Sequence, residues 1–359
     1  LRLLHQPPAD CQPDSPRLLA ARERLALEEL LAHHLSLSRT RSEVQAHPAP
    51  VMRPDPEAAS RFRQRLPFAL TGAQERVIAE IEADLGLNRP MMRLVQGDVG
   101  SGKTVVAAFA ALTAIASRYQ VAIMAPTDLL AEQHYRNFRQ WLEPLGVHPV
   151  YLSGRTRGQG RKTALSELAA GTVGIAIGTH ALFQEQVVFQ RLGLVIIDEQ
   201  HRFGVHQRLA LRAKGVQEGS YPHQLIMTAT PIPRTLAMLN YADLDLSVID
   251  EKPPGRTPVD TRVLPTHRRA EIVARITDWV AWGRQVYWVC TLIEESELLQ
   301  CEAAETTARL LSEALPDVRV ALVHGRLKPA DKETLMQRFK AGEIDLLVAT
   351  TVIEVGVDV

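Results

Sequence analysis

Apolar positions along the chain follow two alternating rhythms. Short, nearly continuous runs, Met91–Gln96, Val121–Ala125, Val173–Ile177, Leu194–Ile197 and Leu225–Thr228, are separated by stretches with helical spacing. Such runs suit strands buried on both faces, which a parallel sheet covered by helices provides. The rhythm breaks at Asp250-Glu251-Lys252-Pro253-Pro254-Gly255-Arg256 and resumes with Val286–Val289, Val318–Leu322 and Leu346–Ala349. The pattern predicts an α/β protein with two parallel-sheet domains, 66–250 and a partial one over 258–359, behind a helical and proline-rich segment over 1–65.

Within that leading segment, residues 1–15 read as irregular. Ser15-Pro16 reads as an N-cap with proline at the first helical position. Leu27, Leu30, Leu31, His34 and Leu35 then recur at helical spacing, predicting an amphipathic helix over about 16–38. His47–Pro56 is a stiff, proline-marked linker, and the globular block is expected to start near Leu66. The longest apolar run, Val105–Ala116, is interrupted by Thr113 and predicts a buried helix; a membrane span needs ~20 such residues.

Composition narrows the classes. The 359 residues are 46% hydrophobic and 23% charged, an ordinary globular mix. Basic and acidic residues balance at 41 each, so any nucleic-acid surface has to be local rather than a basic coat. Cys11, Cys290 and Cys301 form no CxxC pair, which argues against a disulfide framework or cysteine zinc site and for a reducing, cytoplasmic setting. The chain begins at Leu1 without a signal-peptide pattern and ends at Val359 on an expected strand end, so it reads as a piece of a longer protein.

Candidate chemistry starts at Gly97-Asp98-Val99-Gly100-Ser101-Gly102-Lys103-Thr104, which matches G-x-x-x-x-G-K-[ST] between an expected strand and an expected helix. Glycines let backbone N–H groups wrap a phosphate at a helix N-terminus. Lys103 would reach the β/γ phosphates of ATP, and Thr104 would hold Mg²⁺. Asp198-Glu199-Gln200-His201 closes the run Leu194–Ile197. Carboxylates at the end of a central parallel strand face the ligand crevice. Asp198 can hold the metal there, and Glu199 can take a proton from the attacking water. The plain alternative is a solvated acidic turn.

These residues, with Thr228-Ala229-Thr230-Pro231 and the second α/β block, resemble the superfamily-two helicases and translocases. Within that group the chain is similar to the bacterial branched-DNA helicases. The strings that carry the likeness are Met91–Thr104, Ala125–His134, Ile197–Gln207, Met227–Thr235, Tyr287–Glu297 and Leu347–Val359. The resemblance implies two RecA-like P-loop domains, the second truncated, and an ATP-dependent, DNA-stimulated motor that remodels forks and Holliday junctions in repair and recombination, acting as a monomer at the bacterial nucleoid. It gives Gln74 the adenine edge, Gly356 and Asp358 the second domain's face of the nucleotide cleft, and Thr228 and Thr230 the coupling of ATP state to the DNA track, with Gln200 and His201 in the same coupling motif. It also implies that a wedge domain would precede Leu1 and an arginine finger would follow Val359, so the chain alone is expected to turn over ATP weakly.

For the DNA itself, Gln200–Gln217 holds Arg202, Arg208, Arg212 and Lys214 with no carboxylate, and Phe203 for stacking on a base. Arg155, Arg157, Arg161 and Lys162 form a second acid-free cluster. A solvated basic loop is the bland alternative for both. Thr127, Thr179, His180 and Thr351 match family motifs that contact the phosphate backbone, which positions a strand without reading its sequence. His5, His33, His34 and His324 have no metal-ligand spacing with one another, and no zinc is expected. Two other functions compete: the motor of a transcription-repair coupling translocase, which the glutamine at Gln200 disfavours, and an ATP- and DNA-binding module with little turnover.

Overall fold

The computed structural model describes residues 2–6, 8, 12, 15–154, 156–199, 216, 219–229, 244–253, 259–290 and 297–350. The chain divides into two units, Leu1–Pro254 and Gly255–Val359. Each is built on a parallel sheet, the α/β architecture the apolar runs predict.

The first unit carries a seven-stranded sheet in the order β3-β4-β2-β5-β6-β1-β7. Its strands are β1 (Met92–Gly97), β2 (Gln120–Met124), β3 (Val150–Leu152), β4 (Ile175–Gly178), β5 (Leu192–Asp198), β6 (His223–Thr228) and β7 (Asp245–Ile249). Every pairing is parallel. β2, β5 and β6 are buried at every position, as strands covered on both faces must be. Successive side chains feed two cores. Val95, Ile123, Ile196 and Met227 join one cluster, while Leu94, Met124, Ile197 and Ile226 join the other. Over the first cluster lie α4 (Gly72–Leu85) and α5 (Lys103–Ala116). From Val105 to Ala114 every residue of α5 is buried, Thr113 included, the outcome its apolar run predicts.

The leading segment differs from expectation in three places. A short helix, α1 (Arg2–His5), stands where the sequence reads as irregular. The long helix α2 runs over Pro16–Gln45, well past residue 38. Leu27, Leu30, Leu31 and Leu35 of its leucine stripe are all exposed, and among the described side chains of this helix only Leu18 is buried. Arg41 near its end is tied to Asp245 of β7 at 2.7 Å. The packed block also reaches back beyond Leu66. Met52 and Phe62, the latter on α3 (Pro56–Arg65), are fully buried in the first cluster, and Phe62 meets Phe109 of α5 at 4.7 Å between ring centres.

A histidine fastens the proline-marked linker to the base of the sheet. His223 starts β6 and is fully buried. Its Nδ1 accepts from the Met91 N–H at 3.0 Å, and its Nε2 donates to the Pro50 carbonyl at 2.7 Å. Accepting at Nδ1 requires the neutral ring, since a protonated ring donates at both nitrogens. Burial pushes the imidazole below its ordinary value, against the opposing pull of the Pro50 carbonyl and Asp84. A base held neutral in the fold takes up more protons unfolded, so its contribution is intact above its ordinary value of about 6.5 and shrinks as pH falls through it. The unfolding midpoint is therefore expected to drop between about pH 7.5 and about pH 5.5. His223→Gln should be less stable at the higher pH and show a shallower drop. Equal slopes for both proteins in urea unfolding would refute this account.

The second unit holds β8 (Val286–Cys290), β9 (Val320–Val323) and β10 (Leu346–Thr350), paired in parallel in the order β8-β10-β9. Helices α8 (Arg269–Ala281), α9 (Glu297–Ala314) and α10 (Pro329–Lys340) accompany them. β10, in the middle, sends Leu346 and Val348 to one cluster with Ile276 and Leu311, and Leu347 to another with Met336 and Phe339. Cys290 is half-buried on β8.

Candidate functional site

The chemistry gathers at one edge of the first sheet. β5, β6 and β1 are neighbours in the sheet order, and the register sets Asp198 beside Met227 and Gln96 beside Thr228. Their C-terminal ends therefore bring the glycine loop, the acidic pair and Thr228 together. Further along the same edge, β2 leads to Thr127 and β4 to Thr179.

The loop from Gly97 to Gly102 ends at α5, whose first residues are Lys103 and Thr104. Two glycines are required by what they touch. A Cβ on Gly97 would sit 2.4 Å from the Ser101 Oγ. Gly102 has φ of +88°, and a Cβ there would lie 2.2 Å from the Gln74 Nε2. Gly102→Ala combines that clash with a left-handed backbone costing ~1–2 kcal/mol. It is expected to lower both the unfolding midpoint and nucleotide affinity; a midpoint and affinity unchanged in a thermal-shift titration would contradict it.

The loop is closed on itself. The Lys103 Nζ donates to the Gly97 carbonyl at 2.8 Å and the Asp98 carbonyl at 3.1 Å. Ser101 Oγ is buried and has no hydrogen-bond partner among the described residues. Gln74, given the adenine edge above, is only 2% exposed. Its Oε1 accepts from the Thr71 N–H at 2.8 Å in a capping box that starts α4, and its Nε2 donates to the Ser101 carbonyl at 2.8 Å. In this geometry the amide braces the loop. Glu251, beyond β7, adds a second brace: its Oε2 accepts from the Ala73 N–H at 3.0 Å at the start of α4.

Asp198 and Glu199 are 9% and 6% exposed. Glu199 adopts φ of +50°, a left-handed conformation rare for a residue with a Cβ. Its N–H donates to the Met227 carbonyl at 2.9 Å, its Oε1 accepts from the Ala229 N–H at 3.0 Å, and its Oε2 accepts from the Thr228 hydroxyl at 3.4 Å. The strand end after β6 thus holds the carboxylate. Asp198 is bonded instead to a residue to which the sequence reading gave no role: the Nε2 of His134, on α6 (Asp128–Leu142), stands 2.8 Å from its Oδ2. His134 closes the string Ala125–His134, and its place on the helix face of Leu130, Ala131 and Phe138 marks it as inward-facing.

The donor set suits a nucleotide with a hard cation. Among the described residues no three His, Cys, Asp or Glu side chains form a metal-holding cluster. Mg²⁺ needs no such cage, since one or two oxygen ligands and the phosphates suffice, and Thr104 and Asp198 are oxygen donors.

Of the candidate nucleic-acid contacts, Thr127 caps α6, its hydroxyl accepting from the Leu130 N–H at 3.3 Å. Thr179 is buried at the end of β4, and His180 beside it is exposed. Gln200, His201, Arg202, Phe203, Arg208, Thr230, Thr351, Gly356 and Asp358 lie outside the described residues, as does Arg155. Arg161 points back to its own unit, bonding Gln184 at 2.9 Å.

The two parallel-sheet units and the phosphate-loop edge define a two-domain helicase fold. Residues 71–239 match the DEAD/DEAH box helicase family, and residues 269–359 match the helicase conserved C-terminal domain. Along its whole length the chain is similar to the RecG helicases. The ATP-dependent DNA helicase RecG of Escherichia coli K12 is 59% identical over 362 residues, covering 100% of this chain and 52% of its own length. That of Haemophilus influenzae is 57% identical over 365 residues, with the same coverage of 100% and 52%. The structure of RecG bound to a three-way DNA junction matches with a TM-score of 0.79 at 41% identity, over 95% of this chain and 44% of that one. The helicase MrfA bound to DNA shares the fold at a TM-score of 0.62 and 18% identity, over 87% of this chain and 47% of that one. The chain spans about half the length of the curated relatives it matches.

Proposed function

We propose that this chain is the motor of an ATP-dependent DNA helicase that remodels branched DNA, forks and Holliday junctions among them, in repair and recombination. The observation that carries the reading is one sheet edge holding both the phosphate loop and the Asp198-Glu199 pair, in a chain 59% identical to RecG. Residues 66–250 form the ATP-binding domain and 258–359 part of the second. The relatives favour this reading over a transcription-repair coupling motor.

ATP with Mg²⁺ supplies a phosphoanhydride whose cleavage releases the free energy the motor uses. The chain's residues prepare that event. Lys103 leaves the Gly97 and Asp98 carbonyls and places its charge on the β/γ phosphates, while the N–H groups of Gly100 to Thr104 face the anion. Thr104 and Asp198 would hold the cation. Glu199 orients water and accepts its proton at a carboxylate oxygen, which requires Thr228 and Ala229 to loosen their hold. That hold makes the strand end of β6 a relay between ATP state and DNA, with Thr230, Gln200 and His201 in the same relay. Gln74 reaches the adenine edge once released from the loop, and Gly356 and Asp358 are assigned to nucleotide binding. Thr127, Thr179, His180 and Thr351 are assigned to the DNA backbone, and Arg202, Phe203 and Arg208 to phosphate and base contacts. The protein works as a monomer in the cytoplasm, at the nucleoid.

The test is affinity for a three-way junction and for linear duplex across a salt series. Junction preference and a steep salt slope are expected, and the slope should flatten when Arg202 and Arg208 are both neutralised. Equal affinity for the two DNAs would sink the branched-DNA assignment, and an unchanged slope would remove those arginines from the phosphate track.

A further inference from the structure

We propose that His134 is a positioning residue of the cation site, a hydrogen-bond link that carries the state of the DNA track to Asp198. The proposal deepens the function above and rests on its placement of Asp198 at the cation and Thr127 at the DNA backbone.

Three observations carry it. The first is burial and contact. His134 and Asp198 are 6% and 9% exposed, and the Nε2 to Oδ2 distance is 2.8 Å. An ionised carboxylate only accepts, so the proton of this contact sits on Nε2. The bond occupies one lone pair of Oδ2 and leaves Oδ1 for a cation or its water. Partners of metal-ligating groups hold those groups in their binding orientation.

The second is what lies at the other end of the same helix. Thr127 is the N-cap of α6, and its hydroxyl and the first N–H groups of the helix form the end at which a DNA phosphate would sit. His134 follows seven residues later, about 10 Å along a rigid helix. β2, which leads into α6, pairs directly with β5, which ends in Asp198, with Met124 opposite Ile197. One helix therefore touches the DNA candidate at its start and the cation candidate two turns on. A displacement of α6 by a bound strand moves His134 and re-aims the Asp198 carboxylate.

The third is the other ring nitrogen. His134 Nδ1 is buried and has no hydrogen-bond partner among the described residues. A histidine kept for packing would pair that atom or give way to an apolar residue, since the surrounding face of α6 is Leu130, Ala131 and Phe138. Among the described residues, the side-chain bond that His134 makes is the one to Asp198.

The experiment compares His134→Leu, which fills the space without a donor, with His134→Gln, whose amide keeps a donor at similar reach. Two readouts are taken: Mg²⁺ titration of the binding of a fluorescent ATP analogue, and ATP hydrolysis with and without a three-way junction. His134→Leu is expected to raise the Mg²⁺ half-saturation by ~10–100-fold and to lose DNA stimulation. Its metal-free nucleotide affinity and its DNA affinity should stay at the wild-type level, which an unfolded or loosened domain would not show. His134→Gln should recover most of both losses. Asp198→Asn separates the two layers. If Asp198→Asn leaves the Mg²⁺ dependence unchanged, the cation assignment itself falls. If it shifts that dependence while folded His134→Gln and His134→Leu both behave as wild type, the link through His134 falls. Should His134→Leu not fold, His134→Asn, too short to reach Oδ2, takes its place and is expected to match the losses; wild-type Mg²⁺ dependence in it overturns the proposal.

Discussion

Lys103→Ala is expected to lower nucleotide affinity and turnover by ~10²–10³-fold, the cost of removing one preorganised donor from an anion site. Lys103 bonds the Gly97 and Asp98 carbonyls across the loop. The bond to the Asp98 carbonyl is exposed, where water can replace the ammonium, and the bond to the Gly97 carbonyl is part-buried, so the fold should lose no more than about 1–2 kcal/mol. The effect thus falls on ATP rather than on folding. Neighbouring cations are poor substitutes: Lys252 stands 3.9 Å from the Asp98 carboxylate, an exposed pair on the outer side of the loop. Calorimetric titration with ATP, alongside a melting curve, separates the two outcomes. Wild-type affinity in a folded Lys103→Ala protein would remove the phosphate-site assignment.

Glu199→Gln should slow hydrolysis by ~10²–10⁴-fold while nucleotide binding is preserved. The carboxylate accepts from the Ala229 N–H and the Thr228 hydroxyl. The amide keeps an oxygen for Ala229, and its NH₂ can donate to the Thr228 oxygen, so the left-handed turn at Glu199 retains both supports. What is lost is the proton acceptor. Single-turnover hydrolysis with bound ATP reads the chemical step directly. If affinity collapses while the rate per bound ATP stays normal, Glu199 is a brace of the β6 strand end and not the base.

Much of this was legible in the residues, for identifiable reasons. The central strands are legible because burial on both faces writes them as unbroken apolar runs, as in Leu194–Ile197. The edge strands Val150–Leu152 and Asp245–Ile249 carry no such run, being short and only partly buried, so the apolar pattern does not mark them. The linker around Met52 reads as surface from its prolines, yet His223 reaches across from β6 to hold it. At the site, the glycine loop and the acidic pair announce themselves by spacing along the chain. His134 does not, because its partner Asp198 is distant in sequence and the contact depends on β2 lying beside β5. Gln74 is legible as a motif residue, but its brace on Ser101 follows from the loop's folded path.

The measurement that bears most directly on the motor is ATP hydrolysis by the protein without DNA, with linear duplex, and with a three-way junction of equal length. The account predicts little turnover alone, stimulation by the junction that exceeds stimulation by the duplex, and rates ~10²–10⁴-fold lower in Glu199→Gln under every condition. A rate that is the same in all three conditions, or that survives Glu199→Gln, would contradict it.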